Sequence, residues 1–412
     1  MRPIAVVGIG ADGFAGLGEA ARRALERADL VVGAPRQLAL LPASLAAERR
    51  TLPSPLAALF AELPALAAER SVCVLASGDP MLHGIGTTLA RHFGAEALRV
   101  YPHPSALAYV CARLGWPEQE VTLVSAVANS LDSVRRHLQP GRRLCVYTTG
   151  DDGPARLGRL LTEAGCGASR AWLCERLGAD DERVVATNAA ALAEQRADPL
   201  SCVAVEVELE AHRRPLARTP GLPDEAFDSD GQLSKWPLRA LALAALAPLP
   251  GELLWDVGAG SGSVAIEWLR AEPLARAVAI EQRADRAARI TRNAERLGVP
   301  ELRVVVGEAP AALDGLEPPD AVFVGGGVSR EGLLDACVAA LRARRNGHAR
   351  IVAHAVTVEG ERALIDAADR YGGELLRVEL SDLEPLGTLH GWRPRRPVVQ
   401  WLAQVGDEGA GR

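Results

Sequence analysis

Short β-rich runs alternate with alanine-rich amphipathic stretches from residue 3 to about 208; the alternation then stops and later begins again. In the first part IAVVGI, SVCVLAS, EVTLVSA, RLCVYTT and SCVAVEVEL have strand character, while EAARRALERA, PLAALFAELPALAAE and ARLGRLLTEAG have helical character. The break is ELEAHRRPLARTPGLPDEAFDSDG, which is charged, rich in Pro and Gly, and without periodicity. Beyond it GELLWDVGAG, ARAVAIE, LRVVVG, PDAVFVGGG, ARIVAHAV and PVVQWLA read as strands with helical segments between them. Such alternation argues for open sheets covered by helices. At 412 residues the chain is too long for one ordinary core and suits two bodies of this kind. The expectation is an α/β domain over 1–208, a linker over 209–222 and a second α/β domain over 223–412. No short internal repeat suggests an array instead.

Composition narrows the function classes. A net charge of −6 lacks the basic excess of a nucleic-acid binder. No apolar run approaches the roughly 18–20 residues that cross a bilayer. The opening MRPIAVVGIGADG reaches glycine too early for a signal peptide, so the expected location is cytoplasmic. The seven cysteines form no CxxC pair, and several sit in apolar strand-like runs, which suggests buried free thiols. The eight histidines are scattered without HxxxH or HExxH, so no metal site is expected.

LLWDVGAGSGSVAIEWL is a hydrophobic strand, a glycine-rich turn and a helix start. Gly258, Gly260 and Gly262 let the backbone turn tightly and let a ligand approach where a Cβ would collide. A dinucleotide fingerprint would be GxGxxG; here the spacing is GxGxG, with Asp256 before it and Ser261 inside it. That form resembles the first motif of Rossmann-like, S-adenosylmethionine-dependent methyltransferases. Glu281 ends the next strand about 20 positions on, where a carboxylate suits paired ribose hydroxyls. Gly307 and Glu308 follow the third strand. By the resemblance they lie near the adenine, although an ordinary helix start would read much the same.

The first domain carries a second signal. IAVVGIG places Gly8 and Gly10 after a strand, and in VCVLASGDPMLHGIG a buried strand ends at Ser77, followed by Gly78, Asp79 and Pro80, with a helix expected near His83. This resembles the GDP motif of the tetrapyrrole methylases, a methyltransferase family with two α/β lobes and a cofactor in the cleft. A helix start capped by Asp79 with Pro80 in its first turn is the bland alternative. The resemblance implies backbone contacts from Ser125 and Ala126 in the second lobe. The family often has GxGPG where this chain has GIGADG, so the opening loop is expected to differ in shape.

Taken in order, RTPGLPDEAF, DGQLSK, the GxGxG segment, GGGVS, AVTVEGE and GTLHGWRPRRPVVQW resemble the bifunctional, decarboxylating precorrin-6Y methylases of cobalamin biosynthesis, over nearly the whole chain. The resemblance implies a two-lobed tetrapyrrole methylase fold followed by a class I fold with a mostly parallel seven-stranded sheet. It also implies one S-adenosylmethionine per domain, a precorrin substrate methylated at carbons 5 and 15, and decarboxylation of the ring C acetate side chain; a homo-oligomer is expected. Of 46 Lys and Arg side chains, Lys235 in DGQLSK is the one lysine. By the resemblance Gln232, Ser234 and Lys235 border the cofactor and the substrate mouth, where a compact ammonium bonds as a guanidinium cannot. Arg393, Arg395 and Arg396 form a local cationic cluster; guanidinium forks suit carboxylates, and a solvated face is an equal reading. His354 ends a strand, either near the substrate or as a packed neighbour. Three other readings stay open: the same chemistry on a cobalt-containing ring, a non-catalytic tetrapyrrole carrier, and a nicotinamide oxidoreductase, the last disfavoured by the glycine spacing.

Overall fold

In a computed structural model, residues 2–127, 129–344 and 347–406 are described. The chain divides into two compact units, one formed by Met1–Leu131 with His137–Pro215, the other by Asp132–Arg136 with Leu216–Arg412.

The first unit holds two five-stranded sheets. One contains β1 (Ile4–Ile9), β2 (Leu30–Gly33), β3 (Glu48–Thr51), β4 (Val72–Ser77) and β5 (Leu98–Tyr101), all parallel, in the order β3-β2-β4-β1-β5. The other contains β6 (Val121–Ser125), β7 (Arg143–Tyr147), β8 (Arg170–Glu175), β9 (Arg183–Asn188) and β10 (Ser201–Glu206), ordered β6-β7-β10-β8-β9 and antiparallel except for β6 with β7. This is the expected two-lobed arrangement. The register pairs Gly8 with Ala76 and Ile9 with Ser77, so both glycine motifs leave the sheet at the same edge. In open parallel sheets the carboxyl ends of the strands are where ligands bind. The helix expected near His83 begins instead at Ile85, with Gly84 before it. Asp79 therefore does not cap it: its Oδ1 accepts from Met81 N at 2.8 Å and braces the loop.

The second unit holds β11 (Leu253–Val257), β12 (Arg276–Glu281), β13 (Arg303–Val306), β14 (Ala321–Val324), β15 (Arg350–Ala355), β16 (Glu374–Val378) and β19 (Val398–Gln404), with a separate hairpin of β17 (Ser381–Leu386) and β18 (Leu389–Pro394). The seven-stranded sheet runs β13-β12-β11-β14-β15-β19-β16; its first five strands are parallel, and β19 is antiparallel to β15 and β16. The strand order reverses at β11, which carries the GxGxG loop at its end.

A buried ion pair ties this unit to the segment before it. Arg239, on the helix Trp236–Leu246, donates through Nε to Glu267 Oε1 at 2.8 Å, and both side chains are almost completely buried. Glu267 lies on the helix Ser263–Ala271 and also accepts from Gly221 N at 2.5 Å and Leu222 N at 3.1 Å. Arg239 further donates to Asp224 Oδ1 at 3.0 Å and to the carbonyls of Ser234 and Leu222. The Pro- and Gly-rich stretch is thus not a slack tether over its whole length. From Leu216 onward it is hydrogen-bonded to the second unit, with Arg270 donating to the carbonyls of Leu216 and Ala217.

Removing one partner of a buried pair leaves the other charge unmatched, at a typical cost of about 3–5 kcal/mol. Arg239→Ala should lower the urea stability of the second unit by about that amount. Replacing both partners, as Arg239→Met with Glu267→Leu, should cost much less. Equal losses in the single and double variants would mean that packing, not charge, is at stake.

Candidate active sites

In the second unit the expected residues converge. A cavity of about 730 Å³ is lined by Gln232, Ser234, Lys235, Asp256, Gly258, Gly260, Glu281, Gly307, Glu308, His354, Arg393, Arg395 and Arg396, among others. Ser261 and Gly262 do not line it. They sit behind the loop, where the carbonyl of Ser261 accepts from Asn293 Nδ2 at 3.0 Å and Gly262 N donates to the carbonyl of Ala259 at 2.8 Å. Gly258 and Gly260 have φ of +70° and +60°, a region that favours glycine. A Cβ on Gly258 would also come within 3.0 Å of Gly326, so the GGG run after β14 packs on the first glycine loop.

The carboxylates have distinct tasks. Glu281 accepts from Gly260 N at 2.9 Å and from Arg283 N at 3.0 Å, which fixes it at the end of β12. A carboxylate has about four lone-pair sites, so acceptor capacity is left for two hydroxyls. Asp256 is fully buried and accepts from Ala265 N at 3.0 Å, holding the loop against the start of its helix. Burial pushes its carboxyl up to about 7; the Ala265 N–H opposes that rise and the Glu281 charge adds to it. Glu308 is exposed and paired with Arg330. Positive-φ glycines, a spare-capacity carboxylate on the next strand and a cavity of this size together fit an adenosyl group.

The basic residues separate as well. Arg395 forks onto Asp382, both bonds 2.5 Å, and Arg393 pairs with Glu384 at 3.1 Å. These two arginines are therefore already matched across the hairpin. Arg396 has no ion-pair partner among the described residues and faces the cavity with its donors open. Lys235 immediately precedes the helix Trp236–Leu246; its Nζ is 3.7 Å from Asp224 and its side chain is 45% exposed. His354 is buried on β15, with Nε2 2.9 Å from Gln400 Oε1 and its ring edge-on to Phe323 at 5.1 Å. Burial lowers its pKa and the Gln400 contact only partly offsets this, so the imidazole is neutral at pH 7.

In the first unit a second cavity of about 520 Å³ is lined by Gly10, Gly78, Asp79 and Ser125. Gly8, Pro80 and Ala126 lie just behind its wall. A Cβ on Gly8 would fall 2.2 Å from the carbonyl of Gly78, so only glycine lets the two loops meet. Ala126 N donates to the carbonyl of Tyr147 at 2.9 Å, which leaves only its own carbonyl for a ligand. No group of three or more metal-ligating side chains occurs among the described residues, and no described helix is long and apolar enough to cross a membrane. Sequence reasoning did not find Asp382, Arg286 and Arg330 around the cavity of the second unit. Their only local signal is charge, which is common on any surface.

The buried Asp256 should make stability depend on pH. Its folded pKa lies above its unfolded value, so its contribution is fully present below about pH 4 and is lost as the pH rises through 7. Asp256→Asn should flatten the fall in thermal stability of the ligand-free protein between pH 4 and 7. An unchanged slope would place the titration elsewhere.

Comparison with known proteins gives a consistent result. The model of the tetrapyrrole (corrin/porphyrin) methylases matches residues 3–193, and that of the precorrin methyltransferase domain matches residues 225–405. A precorrin-6Y C(5,15)-methyltransferase (decarboxylating) from Sinorhizobium is 44% identical over 97% of this chain and 95% of its own length. One of the same name from Mycobacterium tuberculosis is 45% identical over 97% of this chain and 98% of its own. Among solved structures, the C-terminal domain of the Rhodobacter capsulatus precorrin-6Y C5,15-methyltransferase is 48% identical, covering 46% of this chain and all of that one, with a TM-score of 0.42. An identity of 44–45% sustained across both units and the segment between them means that the chain belongs to the family of decarboxylating precorrin-6Y C(5,15)-methyltransferases.

Proposed function

We propose that the chain methylates a precorrin macrocycle at carbons 5 and 15 and decarboxylates a ring acetate, whose carboxyl leaves as carbon dioxide while a proton replaces it to leave a methyl group, with one S-adenosylmethionine site in each unit. The observation that carries this reading is the convergence in one cavity of a glycine cradle, the fixed Glu281 and the open cation Arg396. The cofactor supplies an electrophilic methyl group on a sulfonium. Methyl transfer from it needs alignment and exclusion of water more than acid–base machinery.

In the second unit Gly258 and Gly260 admit the cofactor, and Glu281 orients its ribose. Gly307 and Glu308 flank the adenine, and Gln232 with Ser234 borders the opposite wall. Arg396 and Lys235 hold substrate carboxylates, with Arg393 and Arg395 shaping the hairpin beside them. A neutral, Gln400-tethered His354 places an imidazole edge by the reacting ring without adding a second charge. Decarboxylation leaves electrons that the conjugated macrocycle accepts, so the residues' task is to hold the other carboxylates and to desolvate the departing one. In the first unit Gly8, Gly10 and the stretch Gly78–Asp79–Pro80 cradle the donor, with Ser125 and Ala126 closing from the second lobe.

Mass spectrometry of the product from the metal-free precursor should show two methyl groups gained and one carbon dioxide lost. Calorimetry with S-adenosylhomocysteine should give a stoichiometry near two in the parent chain and near one in Gly260→Val, whose side chain is strained at φ +60° and crowds the carbonyl of Gln232. Binding of the tetrapyrrole without turnover would instead mark a carrier.

Lys235→Arg should raise the apparent KM for the tetrapyrrole in second-unit methylation and decarboxylation. Charge is kept, and the compact ammonium's bonding geometry is lost. First-unit methylation should be untouched. Unchanged kinetics would make the single lysine a relic.

A further inference from the structure

The cavity of the first unit has a cation that the reading above leaves unused. Arg36 lies on the short helix Pro35–Ala39, just after β2, and lines the cavity together with Gly78 and Asp79. Among the described residues the lining holds no other permanently charged cation, and His83 is its one other basic residue. In a chain where most arginines reach a carboxylate, Arg36 has no ion-pair partner among the described residues. Its one hydrogen bond runs from Nη2 to Ser77 Oγ at 3.1 Å. The anchor is itself held: Gln37, which is buried, donates from Nε2 to the same Ser77 Oγ at 3.0 Å and accepts from Ala34 N at 2.8 Å.

We infer that Arg36 is the carboxylate-binding residue of the first unit's cavity, held at the mouth of the Ser77–Gly78–Asp79 loop by Ser77 and Gln37. A guanidinium has five donors, and one bond to a hydroxyl leaves a free edge for a two-point fork onto a carboxylate. Partial desolvation and the Arg176 charge lower its pKa, with the Asp198 charge opposing them, while its exposed side chain leaves the free edge open to an arriving anion. A neutral anchor fixes the guanidinium without satisfying its charge, which separates Arg36 from the matched pair Arg395–Asp382. Two carboxylate sources fit this chemistry: the acetate and propionate arms of the tetrapyrrole, and the amino-acid end of the methyl donor. The assignment rests on reading the first unit as a tetrapyrrole methylase.

The test uses the full chain. Arg36→Gln and Arg36→Lys are compared with the parent for the tetrapyrrole KM of first-unit methylation, counted by mass spectrometry. The Kd of S-adenosylhomocysteine is measured in a Gly260→Val background, where only the first site is left. Arg36→Gln should raise one of these constants about 10–100-fold, as expected for loss of a charge-assisted bond, and leave kcat within about threefold. Arg36→Lys should fall between the two, because a point charge does not reproduce the fork. A rise in KM alone identifies the ring's carboxylate, and a rise in Kd alone identifies the donor's. Carbon dioxide release by the second unit should stay at the parental level, which shows that the variant is folded. If both constants are unchanged, or if only kcat falls, the assignment is overturned. If the Gly260→Val chain with Arg36 intact binds no S-adenosylhomocysteine, the first-unit reading itself fails and takes this assignment with it.

Discussion

The second unit is organised around the buried contact between Arg239 and Glu267. Four stretches between residues 221 and 271 meet there: residues 221–224, the Ser234 carbonyl, the helix Trp236–Leu246 and the helix that follows the glycine loop. Desolvating two charges is costly, and the pair is tolerable because nearly every donor and acceptor around it is matched. Through the Ser234 carbonyl this contact helps to hold Gln232–Lys235 at the cavity. At its other end DGQLSK is held separately, by Arg286 donating to Asp230 at 2.8 Å.

The two cavities make room for a close ligand in different ways. In the second unit a carboxylate is held rigid by two backbone N–H groups before any ligand arrives. In the first unit the loops themselves are pressed together, with Gly8 facing the carbonyl of Gly78. Both place backbone rather than side chain where a ligand must come close. Among the described residues neither lining pairs a nucleophile with a base, which agrees with a reaction whose leaving group is already activated.

The glycine motifs and the strands β1, β4, β11, β12, β14 and β15 were legible because buried parallel strands read as unbroken apolar runs. β3 (ERRT) and β16 (ELLRV) were not, since an exposed edge strand carries charge and lacks that signature. The hairpin β17–β18 escaped for a related reason: it stands apart from the main sheet with Leu383, Leu386, Leu389 and Trp392 exposed. Within the site, Asp256 to Gly262 could be read locally. Lys235 and His354 came from resemblance, Arg396 came from a local cluster of cations, and the pairing that separates it from Arg393 and Arg395 needed coordinates. The Arg239–Glu267 contact spans 28 positions, beyond any local pattern.

The exposure of Lys235 has a practical side. It is the only side-chain amine in the chain, almost half open, and at the rim of the cavity of the second unit. Among side chains, amine-directed reagents would therefore modify only this one; the α-amine, with its lower pKa, reacts first near neutral pH, so alkaline conditions favour the lysine. A fluorophore or crosslinker put there reports from the rim without any engineered residue. Proteases specific for lysine would likewise cut the chain once, between the segment that leads into the second unit and the helix that opens it.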